Sequence, residues 1–206
     1  MVDDQIPDSV VAAAEAISSG EMSARELTTA CIKKTEKLQP KLNCFISFQP
    51  EKALAVADAL DAELLTGDPV GPLHGVPMAH KDMYYRAGEV STCGSKIRKD
   101  FRPNHTATVI ERLGDAGAIH LGGLNMAEFA FGPTGHNEHW GDCRNPWNTD
   151  HVTGGSSSGT GSAVAARIVY AGLGSDTGGS IRLPSALCGL TGIKPTQTRV
   201  SRHGVM

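Results

Sequence analysis

Two glycine-serine turns, separated by one short apolar segment, lie between Gly154 and Arg182. The sequence of this stretch is GGSSSGTGSAVAARIVYAGLGSDTGGSIR. Because glycine has no Cβ atom, each Gly-Gly-Ser turn places a serine hydroxyl beside unobstructed backbone N–H groups. Two such turns that face each other predict a nucleophile, a proton relay and an oxyanion site, which are the groups that acyl transfer requires.

The composition is typical of a soluble globular protein. The chain has 206 residues, of which 40% are hydrophobic and 20% are charged, and its formal net charge is −3. No basic run is longer than the Lys33-Lys34 pair, and no apolar stretch approaches the ~18 residues of a membrane span. The acidic residues 1–11 lack the pattern of a secretory leader. We therefore expect a cytoplasmic protein that binds neither nucleic acid nor a membrane.

The cysteines and histidines do not have the spacing of a metal site. The five cysteines are irregularly spaced without a CxxC pair, which indicates reduced, mostly buried side chains rather than disulfides or structural zinc. His136 and His139 are three residues apart, and His151 follows, but their segment is rich in Gly, Pro and Asn and is predicted to be a loop. We expect no metal and no cofactor.

Hydrophobic periodicity predicts helices that alternate with strands. Ser23 and Glu26 form a capping-box pattern at the start of the second helix, and Leu38-Gln39-Pro40 is expected to end it. The alternation favours a mixed or parallel sheet covered by helices, in one continuous α/β domain. The predicted helices are Ser9 to Ile17, Ser23 to Leu38, Glu51 to Leu65, Thr106 to Ala116 and Asn125 to Phe131, and the predicted strands are Asn43 to Phe48, the end of 71–83, and Ala118 to Leu121.

The serine turns need a base that their own sequence does not supply. Neither GxxxxGK[ST] nor GxGxxG after a strand is present, and neither turn contains a histidine, so phosphate binding and a Ser-His-Asp triad lack support. Lys81 lies near the end of an apolar strand, where burial would lower its pKa and leave a neutral amine. The alternative is that Lys81 is a surface residue paired with Asp82.

Three motifs together resemble those of the amidase signature family. They are Lys81-Asp82 after GPLHGVPMAH, GGSSSG from Gly154, and GSDTGGSIRLPSALCGLTGIKPT from Gly174. The separations fit as well, with 75 residues from Lys81 to Ser156 and 24 from Ser156 to Ser180. The resemblance extends from about Ser23 to Met206 and includes GxxRNPW (141–147) and NMAEFAFG (125–132).

The resemblance implies a Ser-cisSer-Lys triad. Ser180 would be the nucleophile, Ser156 the bridging serine after a cis peptide bond from Gly155, and Lys81 the general base. His80, beside the lysine, stands where relatives usually have an apolar residue. The resemblance also implies an oxyanion hole from the backbone N–H groups of Thr177, Gly178, Gly179 and Ser180, and supporting roles for Ser157, Asp176 and Arg182, of which the last two are expected to pair.

The implied function is that of an amidase, a hydrolase of linear amides or of carbamate or urea-like substrates that works through an acyl-enzyme. The implied fold is a mixed twisted sheet sandwiched by helices, with 1–65 as a helical layer and 66–206 as the N-terminal half of the α/β core. Two alternatives remain open: the glutaminase subunit of a tRNA-dependent amidotransferase, and a truncated non-catalytic module. Because family members are roughly twice as long as these 206 residues, we expect that the chain is a fragment or a cleaved piece, or that a second chain carries the C-terminal half. A homodimer is the other expected assembly.

Overall fold

The computed structural model describes residues 6–67 and 69–206, so the first five residues of the acidic N-terminus lie outside the described residues. Two short 3-10 turns, Lys96–Arg98 and Glu128–Ala130, accompany the regular elements. In chain order these elements are α1 (Val10–Ser18), α2 (Ala24–Leu42), β1 (Phe45–Phe48), α3 (Pro50–Leu64), β2 (Pro77–Lys81), α4 (Thr108–Asp115), β3 (Ile119–Leu124), α5 (Ser158–Ala165) and α6 (Arg182–Cys188).

Strand β3 is the centre of a three-stranded mixed sheet with the order β1-β3-β2. It pairs antiparallel with β1 and parallel with β2, and Leu124 is opposite both Phe45 and Lys81. A parallel bridge between Met78 and Ala171 brings the segment after α5 to the other edge of β2. All five residues of β2 are buried, as expected for a strand covered on both faces. The predicted mixed sheet with helices is confirmed.

One hydrophobic core joins the N-terminal helices to the sheet. It contains Ile17 of α1, Leu27 of α2, Leu121 and Leu124 of β3, and Ile168 after α5, all fully buried. The core therefore draws residues from both sides of residue 65. The division of the domain at that position stays a prediction.

Helix α2 continues through Pro40 to Leu42, so the prediction that it ends at Leu38 is wrong. Proline lacks the N–H that would complete one helical hydrogen bond, but contacts of the preceding Gln39 side chain compensate for this loss. The Gln39 side chain accepts the N–H of Phe45 and donates to its carbonyl, both at 3.0 Å. Leu42 is buried, and Asn43 ends the helix in the left-handed conformation.

The predicted helix from Asn125 to Phe131 is also wrong, because this stretch contains only the 3-10 turn Glu128–Ala130. The N–H of Ala127 donates to the carbonyl of Ser156, and the N–H of Phe129 donates to the carbonyl of Cys93. Phe129 adopts a φ of 49° inside the turn. Because these long-range bonds use the backbone donors, a helical ladder cannot form.

Strand β3 extends three residues beyond the predicted end at Leu121. Its last part passes through Gly122, where an added Cβ atom would overlap the carbonyl oxygen of Ser47 in β1. The glycine is therefore a requirement of close strand pairing rather than the end of the strand.

The cysteines and two of the candidate histidines have defined environments. All five cysteines are buried, free thiols, as their spacing predicted. His136 contacts the carboxylate of Asp142, and His139 contacts that of Glu128, each at 2.9 Å. Within residues 6–67 and 69–206, none of the helices combines the length and apolar character that crossing a membrane requires.

Candidate active site

Strand β2 ends on Lys81, which is only 1% exposed. Its Nζ lies 2.6 Å from Ser156 Oγ and 2.8 Å from Ser175 Oγ. The alternative of a surface lysine paired with Asp82 is wrong, because the Asp82 carboxylate instead accepts the backbone N–H of Thr92 at 2.9 Å.

Burial controls the charge state of this lysine. It lowers the pKa of Lys81 from 10.5 to about 7, against the opposing effects of Cys93 and Asp176. A substantial fraction of the amine is therefore neutral near pH 7 and able to accept a proton.

The polar residue that precedes the lysine is also buried. His80 is 3% exposed, and burial, with a further contribution from Arg86, lowers its pKa to about 3, so the ring is neutral. Its Nδ1 accepts the N–H of Leu173 at 3.2 Å, and its ring stacks on His120 with a centroid distance of 5.2 Å. Neighbouring strand residues point to opposite faces of a sheet, so the polar His80 ring lies on the face away from the Lys81 amine.

The first serine turn needs both of its glycines. Gly154 has a φ of 78°, and a Cβ atom on Gly155 would lie 2.5 Å from the carbonyl oxygen of Gly132 and 2.6 Å from the nitrogen of Gly135. The peptide bond between Gly155 and Ser156 is cis, as the resemblance implied, and Ser156 is fully buried. The Gly-Gly pair thus allows the backbone to bring the Ser156 hydroxyl to the end of β2.

Ser157 connects the first serine turn to the segment that leads into the second. Its Oγ donates to the carbonyl of Ser175 at 3.4 Å and accepts the N–H of the same residue at 3.3 Å. Ser175, which also contacts Lys81, was missed by the sequence reasoning. Its one signal was its place as a hydroxyl residue inside the GSDTGGS motif.

The expected ion pair between Asp176 and Arg182 is present. Arg182 Nη2 lies 2.9 Å from Asp176 Oδ1, and its Nε lies 3.0 Å from Oδ2. The same Oδ2 accepts the backbone N–H groups of Ile181 and Arg182 at 3.1 and 3.2 Å. Hydrogen bonds from Arg182 hold the pKa of Asp176 well below 3.8. Hydrogen bonds from residues 181 and 182 to the buried Asp176 carboxylate therefore hold the loop 176–182 closed.

This closure leaves a run of backbone donors without protein partners. Among the hydrogen bonds of residues 6–67 and 69–206, none has as donor the backbone N–H of Thr177, Gly178, Gly179 or Ser180. The Ser180 side chain is partly buried, and in the same described part of the chain no hydrogen bond joins its hydroxyl to Ser156 or Lys81. The structure thus brings Lys81 and Ser156 together, whereas Ser180 lies in the loop that Asp176 and Arg182 close, and its role as the nucleophile stays a prediction.

Comparison with known proteins gives a family match over most of the chain. The family model described as Amidase matches residues 26–206. A glutamyl-tRNA(Gln) amidotransferase subunit from Halorhodospira halophila is 50% identical over 191 residues, which are 93% of this chain and 39% of the relative. The corresponding subunit from Azotobacter vinelandii is 50% identical over 193 residues, 94% of this chain and 40% of the relative. The chain spans about two fifths of the length of these curated relatives.

Solved structures give the same result at the level of the fold. The peptide amidase from Stenotrophomonas maltophilia has a TM-score of 0.90 and 36% identity, with 96% of this chain and 42% of that chain covered. A fatty acid amide hydrolase has a TM-score of 0.93 and 30% identity, with 96% and 35% covered. From the motifs, the fold and the match over residues 26–206, we conclude that the chain belongs to the amidase signature family.

Proposed function

We propose that this chain carries the catalytic groups of a hydrolase that cleaves the carbon-nitrogen bond of a linear amide, carbamate or urea-like substrate through an acyl-enzyme. Membership of the family supports carbon-nitrogen bond chemistry. The observation that carries the finer proposal is the buried Lys81 amine, 2.6 Å from Ser156 Oγ and with its pKa lowered to about 7.

In the proposed first step, the neutral amine of Lys81 takes a proton from Ser156 Oγ while Ser156 takes one from Ser180 Oγ. The Ser180 oxygen then forms a bond with the carbonyl carbon of the substrate. This step requires the Ser180 hydroxyl to reach Ser156 in the substrate complex, and catalytic hydrogen bonds often tighten only in that complex.

The unpartnered N–H groups of residues 177–180 are suited to bind the oxyanion that develops on the carbonyl oxygen. Each well-placed donor contributes about 3–4 kcal/mol of transition-state stabilisation. The proton then returns along the relay to the leaving nitrogen, the carbon-nitrogen bond breaks, and water hydrolyses the acyl-Ser180 ester.

Labelling with a fluorophosphonate probe followed by peptide mapping tests this proposal in the full-length protein. We expect the label on Ser180, and we expect its loss in both Ser180→Ala and Lys81→Met. The variant Ser18→Ala, at an exposed position at the end of α1, is the matched control and should label like the unmodified protein. A label on another residue, or no label, would contradict the proposal.

A second candidate is the glutaminase component of an amidotransferase. It is favoured by the relatives named as glutamyl-tRNA(Gln) amidotransferase subunits, which are 50% identical to most of this chain. Such a component would use the same residues to release ammonia from glutamine for a partner chain. Ammonia release from glutamine only when a copurifying partner is present would favour this candidate, and turnover of simple amides by the protein alone would favour the first.

A further inference from the structure

We propose that Ser175 is a positioning residue for the general base: its hydroxyl accepts one N–H of Lys81 and thereby directs the amine lone pair at Ser156. This inference rests on the proposed function, in which Lys81 is the base. It starts from the second short contact of Lys81 Nζ, 2.8 Å from Ser175 Oγ, which no step of the relay uses.

The hydrogen-bonding capacity of an amine gives this second contact its role. A neutral lysine amine has two N–H donors and one lone pair, and it can rotate about its last carbon-nitrogen bond. The base function needs the lone pair at Ser156 Oγ, and a second contact that accepts an N–H excludes the rotamer in which the lone pair would point at Ser175. Lys81 is 1% exposed and Ser156 is fully buried, so bulk water does not readily provide this acceptor in place of Ser175.

Two hydrogen bonds fix the backbone of Ser175. Its N–H and carbonyl both bond to the hydroxyl of Ser157, which immediately precedes α5. Ser157 in turn follows Ser156, so the two hydroxyls that contact Lys81 are linked through one intermediate residue. The backbone positions that carry these two hydroxyls are therefore fixed relative to each other.

The preceding residues are fixed to β2 in the same way. The carbonyl of Leu173 accepts the backbone N–H of Lys81 at 3.0 Å, and the N–H of Leu173 donates to Nδ1 of His80 at 3.2 Å. The carbonyl of Gly174 accepts the hydroxyl of Tyr84, which lies three residues after the lysine. Residues 173–175 are therefore bonded along the end of the strand that carries the base.

The same contact predicts a distinctive electrostatic effect. The Ser175 oxygen accepts a hydrogen bond more strongly from the ammonium than from the neutral amine, so it favours the charged form and opposes the effect of burial. Its removal should lower the pKa of Lys81 while it also releases the amine from its productive orientation. A residue that only shapes the turn would lower the rate without moving that pKa.

The test compares Ser175→Ala with Ser175→Thr in the full-length protein. Two quantities are measured: the pH dependence of fluorophosphonate labelling at Ser180, and the pKa of Lys81 from NMR titration of lysine labelled with ¹³C at Cε. For Ser175→Ala we expect the maximal labelling rate to fall by up to about 100-fold, the size of effect that a misplaced reacting group has. We also expect the acidic limb of the profile and the NMR titration to move to lower pH.

Ser175→Thr retains the hydroxyl and should restore both quantities, whereas Ser18→Ala should change neither. If Ser175→Ala does not fold, Ser175→Cys replaces it, because a thiol is a weaker acceptor of similar size. A lower rate with an unchanged titration of Lys81, or no change in either quantity, would overturn the positioning role. Absence of label at Ser180 in the unmodified protein would instead overturn the proposed function on which this inference rests.

Discussion

Replacing Gly155 by alanine should destabilise the fold, because the added methyl group has no room. The new Cβ atom would lie 2.5 Å from the carbonyl oxygen of Gly132 and 2.6 Å from the nitrogen of Gly135, whereas ordinary contacts begin at 3.4 Å. Both neighbours are backbone atoms, so the loop has to move by about 0.9 Å to restore an ordinary contact. The backbone N–H of Gly155 also donates a hydrogen bond to the carbonyl of Pro133 in the same loop, at 2.7 Å.

The magnitude follows from these two effects. Overpacking of this kind costs about 1–3 kcal/mol, and weakening the hydrogen bond to Pro133 adds about 0.5–1.5 kcal/mol. We therefore expect the free energy of unfolding to fall by about 2–4 kcal/mol. Urea unfolding followed by circular dichroism measures this difference.

The matched control is Gly178→Ala. Gly178 is also a loop glycine beside a candidate catalytic serine, but a Cβ atom there would meet no heavy atom within 4 Å. This control should change the free energy of unfolding by less than about 0.5 kcal/mol. Equal urea midpoints for Gly155→Ala and Gly178→Ala would refute the reasoning that the close approach of two backbone segments requires glycine at position 155.

Two further predictions concern the charged groups of the site, and both use urea unfolding as a function of pH. Arg182→Ala removes two hydrogen bonds from the buried Asp176 and should lower the free energy of unfolding by more than Arg25→Ala, which breaks an exposed ion pair and should lower it by at most about 1 kcal/mol. Arg182 lowers the pKa of Asp176, so the stability that Arg182→Ala removes should be fully present above about pH 4 and shrink at lower pH. A loss of stability that does not depend on pH would contradict the role of the Asp176 carboxylate. Lys81→Met should raise stability on the order of 1–4 kcal/mol at pH 7, since burial lowers the folded-state pKa of Lys81 to about 7 and therefore penalises the charged amine. This gain in stability should decrease as the pH rises from about 7 toward 10.5. The control Lys37→Met, at an exposed position, should show no such dependence on pH. A gain in Lys81→Met that is the same at every pH would contradict the lowered pKa of Lys81.

Local sequence signals located the elements whose ends depend on nearby residues. The capping box of Ser23 and Glu26 is present at the start of α2, with both reciprocal hydrogen bonds. The end of the same helix was misplaced because Pro40 is a local signal, whereas the contacts of Gln39 with Phe45 form only in the folded chain. Periodicity carries no information about such contacts.

In the candidate site, too, the sequence indicated some contacts and not others. The spacing of Lys81 and Ser156 matched a family pattern, and the structure places their side chains in contact across 75 residues of sequence. Ser175 is 94 residues from Lys81, and its contact depends on residues 173–175 lying along β2. No spacing rule within one sequence indicates that arrangement. The helix predicted around Phe129 failed because its backbone donors bond to distant carbonyls.

We propose that a buried, neutral Lys81 activates Ser180 through Ser156. The most direct measurement is the rate of fluorophosphonate labelling at Ser180 between about pH 5 and pH 9, in the full-length protein and in Lys81→Met. Because the base must be unprotonated, the rate should rise with pH through a midpoint near the lysine pKa of about 7, and Lys81→Met should lose both the rise and most of the rate. Labelling of Ser180 that is independent of pH, or that persists undiminished in Lys81→Met, would contradict the claim.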